Sequence, residues 1–240
     1  MVYSASHHVP IVIANFTRVY EDYAFLRTSV SCIWVDCTGI VGTNGYCDEK
    51  AERILNDKLS ACPLRAIHLL DNGNYHYLTY LWATRIAEDF SLVLFDRHSD
   101  MQKPQFGEIL SCGGWVRYLL ARQPHARQVF MVGTDPQRRA VFEGYEDRIL
   151  LVKHLRDIET DWPFYVSVDL DVLATTYMRT NWDQGALSLA QLQSFLSGLW
   201  ACQKVLGVDL CGEDTRGIFH AQNEQVYRAL ITQIDGALSF

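Results

Sequence analysis

Short apolar runs recur along the chain, and longer stretches between them return apolar residues every three or four positions. The short runs are Ile11–Ala14, Cys32–Cys37, Ala66–Leu70, Ser91–Phe95, Gln128–Val132, Ile149–Val152, Phe164–Val168 and Val205–Leu210. They are rich in Val, Ile and Leu and show little polar alternation, the pattern of parallel strands covered on both faces. The intervening stretches read as helices. Asp48–Ser60 puts Ala51, Ile54, Leu55 and Leu59 on one stripe behind Asp48, a residue suited to an N-cap. His76–Glu88 is aromatic and apolar, and Gly113–Arg122 carries Val116, Leu119 and Leu120. Ser188–Trp200 opens with Ser188 and Gln191 in capping-box spacing, and Asn223–Ile234 is the last periodic stretch. Strand and helix alternate, which predicts one α/β domain over residues 1–240 with a mainly parallel sheet. The longest irregular stretches are Thr38–Cys47, Met101–Cys112 and Leu173–Ala186.

Composition narrows the function classes. A hydrophobic fraction of 49% supplies a sizeable core and argues against disorder. The net charge of −7 and the lack of a basic run disfavour nucleic acid and anionic membranes as partners, and leave a small-molecule substrate as the expectation. The 7 cysteines are odd in number and form no CxxC pair, so neither a zinc ribbon nor a thioredoxin motif is supported. Reduced, mostly buried thiols fit a reducing compartment. The opening MVYSASHHVPIVIANF lacks a basic region followed by a cleavage site, and no apolar stretch approaches a membrane span. A cytoplasmic location is the expectation.

Two strand ends carry the chemistry: Asp96-Arg97-His98-Ser99-Asp100 and Ser167-Val168-Asp169-Leu170-Asp171. In an extended chain, residues spaced i, i+2, i+4 point the same way. Buried acids so close together need positive charge among them. If the two strands are neighbours, the groups meet at one edge of the sheet, and a pair of divalent cations would offset four aspartates. His76, after the turn Gly73-Asn74-Tyr75, is the natural sixth member. Four carboxylates and two imidazoles form a hard, oxygen-rich set that favours two Mn²⁺ ions, with Fe²⁺ or Co²⁺ as alternatives, over zinc. Either motif alone is a common way to cap a helix or turn a chain; the combination is what points to metal.

These motifs resemble those of the ureohydrolases, the arginase and agmatinase superfamily, and specifically an arginase-like subgroup of it. Gly73 to His76 resembles the family's Gly-Gly-Asp-His turn, Asp96 to Asp100 its Asp-Ala-His-x-Asp strand end, and Ser167 to Asp171 its Ser-x-Asp-x-Asp strand end, in family order. The segment Gly207 to Glu213 resembles a fourth, acidic element. The resemblance implies a three-layer α/β/α fold with a mostly parallel, eight-stranded central sheet, and allows a homo-oligomer. It implies that one metal takes His76, Asp96, Asp100 and Asp169. The other would take Asp96, His98, Asp169 and Asp171, with Asp96 and Asp169 bridging. Tyr75, Ala174 and the histidine-free Ser111-Cys112-Gly113-Gly114-Trp115 depart from the family pattern, and Glu213 falls one residue late.

The implied activity is hydrolysis of a non-peptide C–N bond in a small guanidino, amidino or acyl-amine compound, by attack of a metal-bridging hydroxide. Asp100 is the expected proton acceptor besides its ligand role, and Glu213 the expected contact for a cationic substrate group. Asp209 or Asp214 could serve instead, or Asp209 could orient a histidine ligand and Asp214 could pair with Arg216. Cys112 reads as a small pocket-lining residue rather than a nucleophile, because no base accompanies it in sequence. Two other readings stay open: a non-catalytic metal-binding or sensor domain, and a single-zinc, deacetylase-like amidohydrolase.

Overall fold

Each of the eight apolar runs forms a strand, and the eight strands join in one sheet. In chain order the elements are β1 (Ile11–Asn15), α1 (Ala24–Arg27), β2 (Cys32–Asp36), β3 (Tyr46–Cys47), α2 (Glu49–Ser60), β4 (Ile67–Leu69), α3 (Leu78–Ala83), β5 (Phe90–Phe95), β6 (Leu110–Ser111), α4 (Trp115–Arg122), β7 (Ala126–Val132), β8 (Ile149–Val152), β9 (Phe164–Asp169), α5 (Leu189–Cys202), β10 (Val205–Cys211) and α6 (His220–Leu238). This computed structural model describes residues 9–29, 31–104, 107–135, 142–202 and 204–238; the first part of the N-terminal stretch discussed above lies outside them. The sheet order is β2-β1-β4-β10-β9-β5-β7-β8, and every pairing within it is parallel. No helix among the described residues is long and apolar enough to cross a membrane.

The lack of polar alternation has a direct structural cause. In β5, Leu92 and Leu94 enter one core while Val93 and Phe95 enter the other. In β7, Val129 and Met131 divide from Phe130 and Val132 in the same way. The first core is covered by α2, α3 and α4 through Leu55, Leu81 and Leu119; the second by α1, α5 and α6 through Leu26, Leu196 and Leu230. Helices therefore lie on both faces of the sheet, giving the expected three layers.

Local signals account for the starts of two helices, α2 and α5. Asp48 accepts from the backbone N–H groups of Lys50 and Ala51 at 3.0 and 2.8 Å, as an N-cap should. Ser188 and Gln191 form the reciprocal capping box, with contacts of 2.8 and 3.1 Å. The stretch His76–Glu88 yields only the short α3, preceded by a 3₁₀ turn at Gly73–Tyr75. All six residues of α3 are buried, so no polar stripe marks where it starts or stops. The antiparallel pair β3–β6 lies within two stretches read as irregular, Thr38–Cys47 and Met101–Cys112; two residues per strand are too few for periodicity to show.

One buried polar residue in this core makes stability depend on pH. His68 on β4 is fully buried and stacks on Trp82 with ring centroids 3.8 Å apart. Its Nε2 lies 3.1 Å from the Pro63 carbonyl, which can only accept, so Nε2 carries the proton and Nδ1 accepts from the Tyr165 hydroxyl. Burial lowers the imidazole pKa to about 3, outweighing the Pro63 contact. A folded-state pKa below the unfolded value of about 6.5 means this stabilisation is intact above that pH and is lost as pH falls through it. From pH 7 to pH 5 the natural chain should lose about 2 kcal/mol more stability than His68→Gln, at about 1.4 kcal/mol per unit below the unfolded pKa. Urea unfolding of both proteins at the two pH values measures this; parallel pH profiles would contradict it.

Candidate metal centre

The sheet order brings the acidic strand ends together. β4, β5 and β9 send the chain into the loops bearing His76, Asp96–Asp100 and Asp169–Asp171, and β9 lies directly beside β5. Phe95 is in register with Val168, so Asp96 and Asp169 leave the sheet side by side. The site thus sits at the carboxyl ends of the central strands, where the chain has crossed from one half of the sheet to the other, the usual place for a ligand in an open α/β sheet.

The groups do not converge through an extended chain, as the spacing suggested. β5 ends at Phe95, and Asp96–Asp100 turn. Asp96 Oδ1 accepts from the His98 backbone N–H at 2.5 Å, an Asx-type turn. Asp100 takes a φ of +49°, a region that Asp tolerates better than most residues. Its carboxylate is aimed by Trp115, whose Nε1–H donates to Asp100 Oδ2 at 2.6 Å. At the end of β9, Asp169 Oδ1 accepts from Asp171 N at 2.9 Å, closing the next turn.

Three carboxylate oxygens face one nitrogen. His76 Nδ1 lies 3.0 Å from Asp100 Oδ2, 3.4 Å from Asp96 Oδ2 and 3.5 Å from Asp169 Oδ2. The other ring nitrogen fixes the tautomer. Ser167 Oγ donates its only proton to Asp209 Oδ1 at 2.5 Å, so at 2.9 Å from His76 Nε2 it must accept. A neutral His76 therefore points a lone pair at three carboxylates. The buried Asp96 Oδ2 also has no hydrogen-bond partner. His98 Nδ1 sits 2.8 Å from Asp171 Oδ2 and 3.5 Å from Asp96 Oδ1. Two overlapping donor groups result, His76–Asp96–Asp100 and Asp96–His98–Asp171, each with its ligand atoms within 4.8 Å of one another.

The electrostatics report an unmet demand for positive charge. Burial and the charges of Asp171 and Asp96 raise the Asp169 pKa well above the carboxylate range, although His76 opposes this. Burial and Asp96 bring Asp171 to about 6 against the pull of His98. Burial alone would lower both imidazoles, but the facing carboxylates of Asp100 and Asp96 raise His76, and contacts with Asp171 and Asp96 carry His98 to about 11. One proton on His76 Nδ1 can meet one carboxylate oxygen; a multivalent cation can meet all three. The buried oxygen and imidazole donors therefore fit a hard divalent metal.

A cavity of about 280 Å³ opens onto this cluster. All six expected metal ligands (His76, Asp96, His98, Asp100, Asp169 and Asp171) line it. Glu213 does not. It is buried in a separate polar knot, where its carboxylate accepts from the Tyr23 hydroxyl at 2.5 Å and from Asn223 Nδ2. Those partners occupy the acid that the sequence assigned to a cationic substrate group, and burial raises it to about 7. Asp209 accepts from Ser167, which in turn contacts His76 Nε2, and Asp214 pairs with Arg216 at 2.8 Å. Cys112 lines the cavity, but burial, followed by Asp100, pushes its thiol up to about 12, which suits a passive wall.

Ser167 gives a test of the tautomer argument. Ser167→Ala removes the acceptor for His76 Nε2–H and should weaken Mn²⁺ binding by about 10- to 100-fold. Metal titration, with a thermal melt to confirm folding, reads this; unchanged affinity would contradict it.

Sequence reasoning missed Trp182, Asn74, Asn44 and Gln102, which form much of the cavity wall. The available signal was weak: a tryptophan within the long irregular stretch Leu173–Ala186, and amides in the loops that follow strands.

No protein-family model matches the chain. An uncharacterized protein of Thermotoga maritima is 35% identical over 149 residues, a match covering 61% of this chain and 58% of that protein. The chain thus spans less than two thirds of that relative's length. Among solved structures, Entamoeba histolytica arginase in complex with L-ornithine aligns over 93% of this chain and 97% of its own, with a TM-score of 0.68 at 13% identity. Trypanosoma cruzi formiminoglutamase with Mn²⁺ aligns over 95% of this chain and 94% of its own, with a TM-score of 0.68 at 12% identity. The chain has the arginase fold, a parallel eight-stranded sheet between helical layers, which it shares with the arginase and formiminoglutamase structures.

Proposed function

We propose that the chain is a dinuclear, metal-dependent hydrolase of a non-peptide C–N bond in a small guanidino, amidino or acyl-amine compound. The observation that carries this reading is His76 Nδ1 lying within 3.5 Å of carboxylate oxygens of Asp96, Asp100 and Asp169 on the floor of a cavity. A closed structural site would not need a substrate-sized opening above it. The fold common to an arginase and a formiminoglutamase supports the reaction class.

In this proposal His76, Asp96, Asp100 and Asp169 hold one cation, and Asp96, His98, Asp169 and Asp171 hold the other. The hard donor set and the Mn²⁺ of the formiminoglutamase structure favour manganese. With such ions held there, the six side chains would give the site a hydroxide nucleophile near neutral pH and positive charge to stabilise a tetrahedral transition state. The chain's own residues position and move protons. Trp115 N–H holds Asp100 at the cavity floor, where its carboxylate would take the remaining proton of the attacking hydroxide and return it to the leaving nitrogen. Ser167 and Asp209 hold the His76 ring so that Nδ1 stays free for the metal.

The test is an assay of purified, Mn²⁺-loaded protein for ammonia or urea release from a panel of guanidines, formamidines and acyl-amines. Turnover that chelation abolishes and Mn²⁺ restores is expected. Two bound cations with no turnover on any member would instead favour a non-catalytic metal-binding domain.

A further inference from the structure

The cavity is divided in its chemistry. Its floor is the carboxylate–imidazole cluster, whereas its wall, among the described residues, contains no Lys, Arg, Asp or Glu. The wall is built instead from neutral hydrogen-bonding and aromatic groups, chiefly Asn44, Tyr46, Asn74, Gln102, Ser111 and Trp182. Cationic side chains close in sequence to the cluster are engaged elsewhere. Arg97 pairs with Asp135 at 3.6 Å and Lys103 with Glu143 at 2.5 Å, and neither lines the cavity.

The aromatic part of this wall is fixed in place. Trp182 Nε1–H donates to Asn74 Oδ1 at 2.9 Å, and the same oxygen accepts from Asn181 Nδ2 at 3.2 Å. Asn74 Nδ2 in turn donates to Asn44 Oδ1 at 2.7 Å. The indole lies so close to Gly73 that a Cβ there would be 2.5 Å from its Cδ1. It also stands edge-on to His98, with ring centroids 5.8 Å apart. Trp182 is therefore a held aromatic plate in the cavity wall beside His98, 46% exposed. The Gln102 amide lies over Gly113, within 2.9 Å of where a Cβ would sit, on another part of the wall.

This wall discriminates by charge. A carboxylate or ammonium carried at the far end of a substrate would give up hydration and meet no counter-charge. An uncharged amide or hydroxyl would exchange water for side-chain amides at little cost, and a flat uncharged group could stack on the indole. Resting on the hydrolase reading above, we propose that the site selects substrates whose non-reacting end is uncharged, an amide, hydroxyl or flat heterocycle, with Trp182 and Gln102 setting that selectivity.

The experiment compares guanidinobutanamide, guanidinobutanoate and guanidinobutylammonium on the Mn²⁺-loaded protein, together with the matching formamidino and acetamido series. The amide member should exceed each charged member in kcat/KM by about tenfold or more. Gln102→Arg should shift the carboxylate-to-amide ratio by about tenfold toward the carboxylate, and Trp182→Ala should reduce the amide preference. A charged member turned over as well as its amide would overturn the inference while leaving the hydrolase reading intact. If no series is turned over, the hydrolase reading fails, and calorimetric binding to the Mn²⁺-loaded protein then decides the selectivity. There, equal or tighter binding of a charged member, or no binding of the amide, overturns it.

Discussion

Asp96→Asn should abolish metal retention and reduce hydrolysis to background. Asp96 belongs to both donor groups, His76–Asp96–Asp100 and Asp96–His98–Asp171, so its loss damages the two positions together. With Mn²⁺ at 100 times its dissociation constant, the natural chain should gain about 2.7 kcal/mol of stability by mass action; the variant should gain almost none. The metal-free comparison should run the other way. The substituted amide keeps an oxygen for the His98 N–H and removes one charge from the group of buried carboxylates, so the metal-free variant should be at least as stable as the metal-free parent. Metal analysis and thermal melts with and without Mn²⁺ check both halves. A variant that binds two equivalents, or that unfolds without metal, would contradict the role assigned here.

The second large effect falls on the scaffold under the site. Trp115 is fully buried, packs beside His76 with ring centroids 5.0 Å apart and donates to Asp100. Trp115→Ala should cost about 3–5 kcal/mol, a large share of the roughly 5–15 kcal/mol typical of a folded domain. Trp115→Phe retains most of the packing but not the N–H. Its stability should fall much less, whereas Mn²⁺ affinity should drop about tenfold because Asp100 is no longer aimed. Chemical denaturation together with metal titration separates the two contributions. Equal destabilisation by Ala and Phe would show that the hydrogen bond outweighs packing at this position.

Most of the sheet is legible in the sequence because its strands are buried on both faces. Leu92-Val93-Leu94-Phe95 has no polar position for the simple reason that neither side meets water. The cluster is legible because two acidic strand ends and a histidine after a third strand occur together in one chain, although each motif alone commonly does no more than turn it. What could not be read depends on contacts distant in sequence. The left-handed Asp100 is set by its own turn and by Trp115. The engagement of Glu213 by Tyr23 and Asn223 joins three separate segments. The Trp182–Asn74–Asn44 wall crosses three loops, where no periodicity exists to betray it.

Anomalous scattering from crystals grown with Mn²⁺ should show two manganese peaks in the cavity floor, one beside His76 Nδ1 and the other beside His98 Nδ1, with Asp96 reaching both. A floor holding no manganese, or an imidazole of His76 turned so that Nε2 faces the carboxylates, would contradict the two-metal reading.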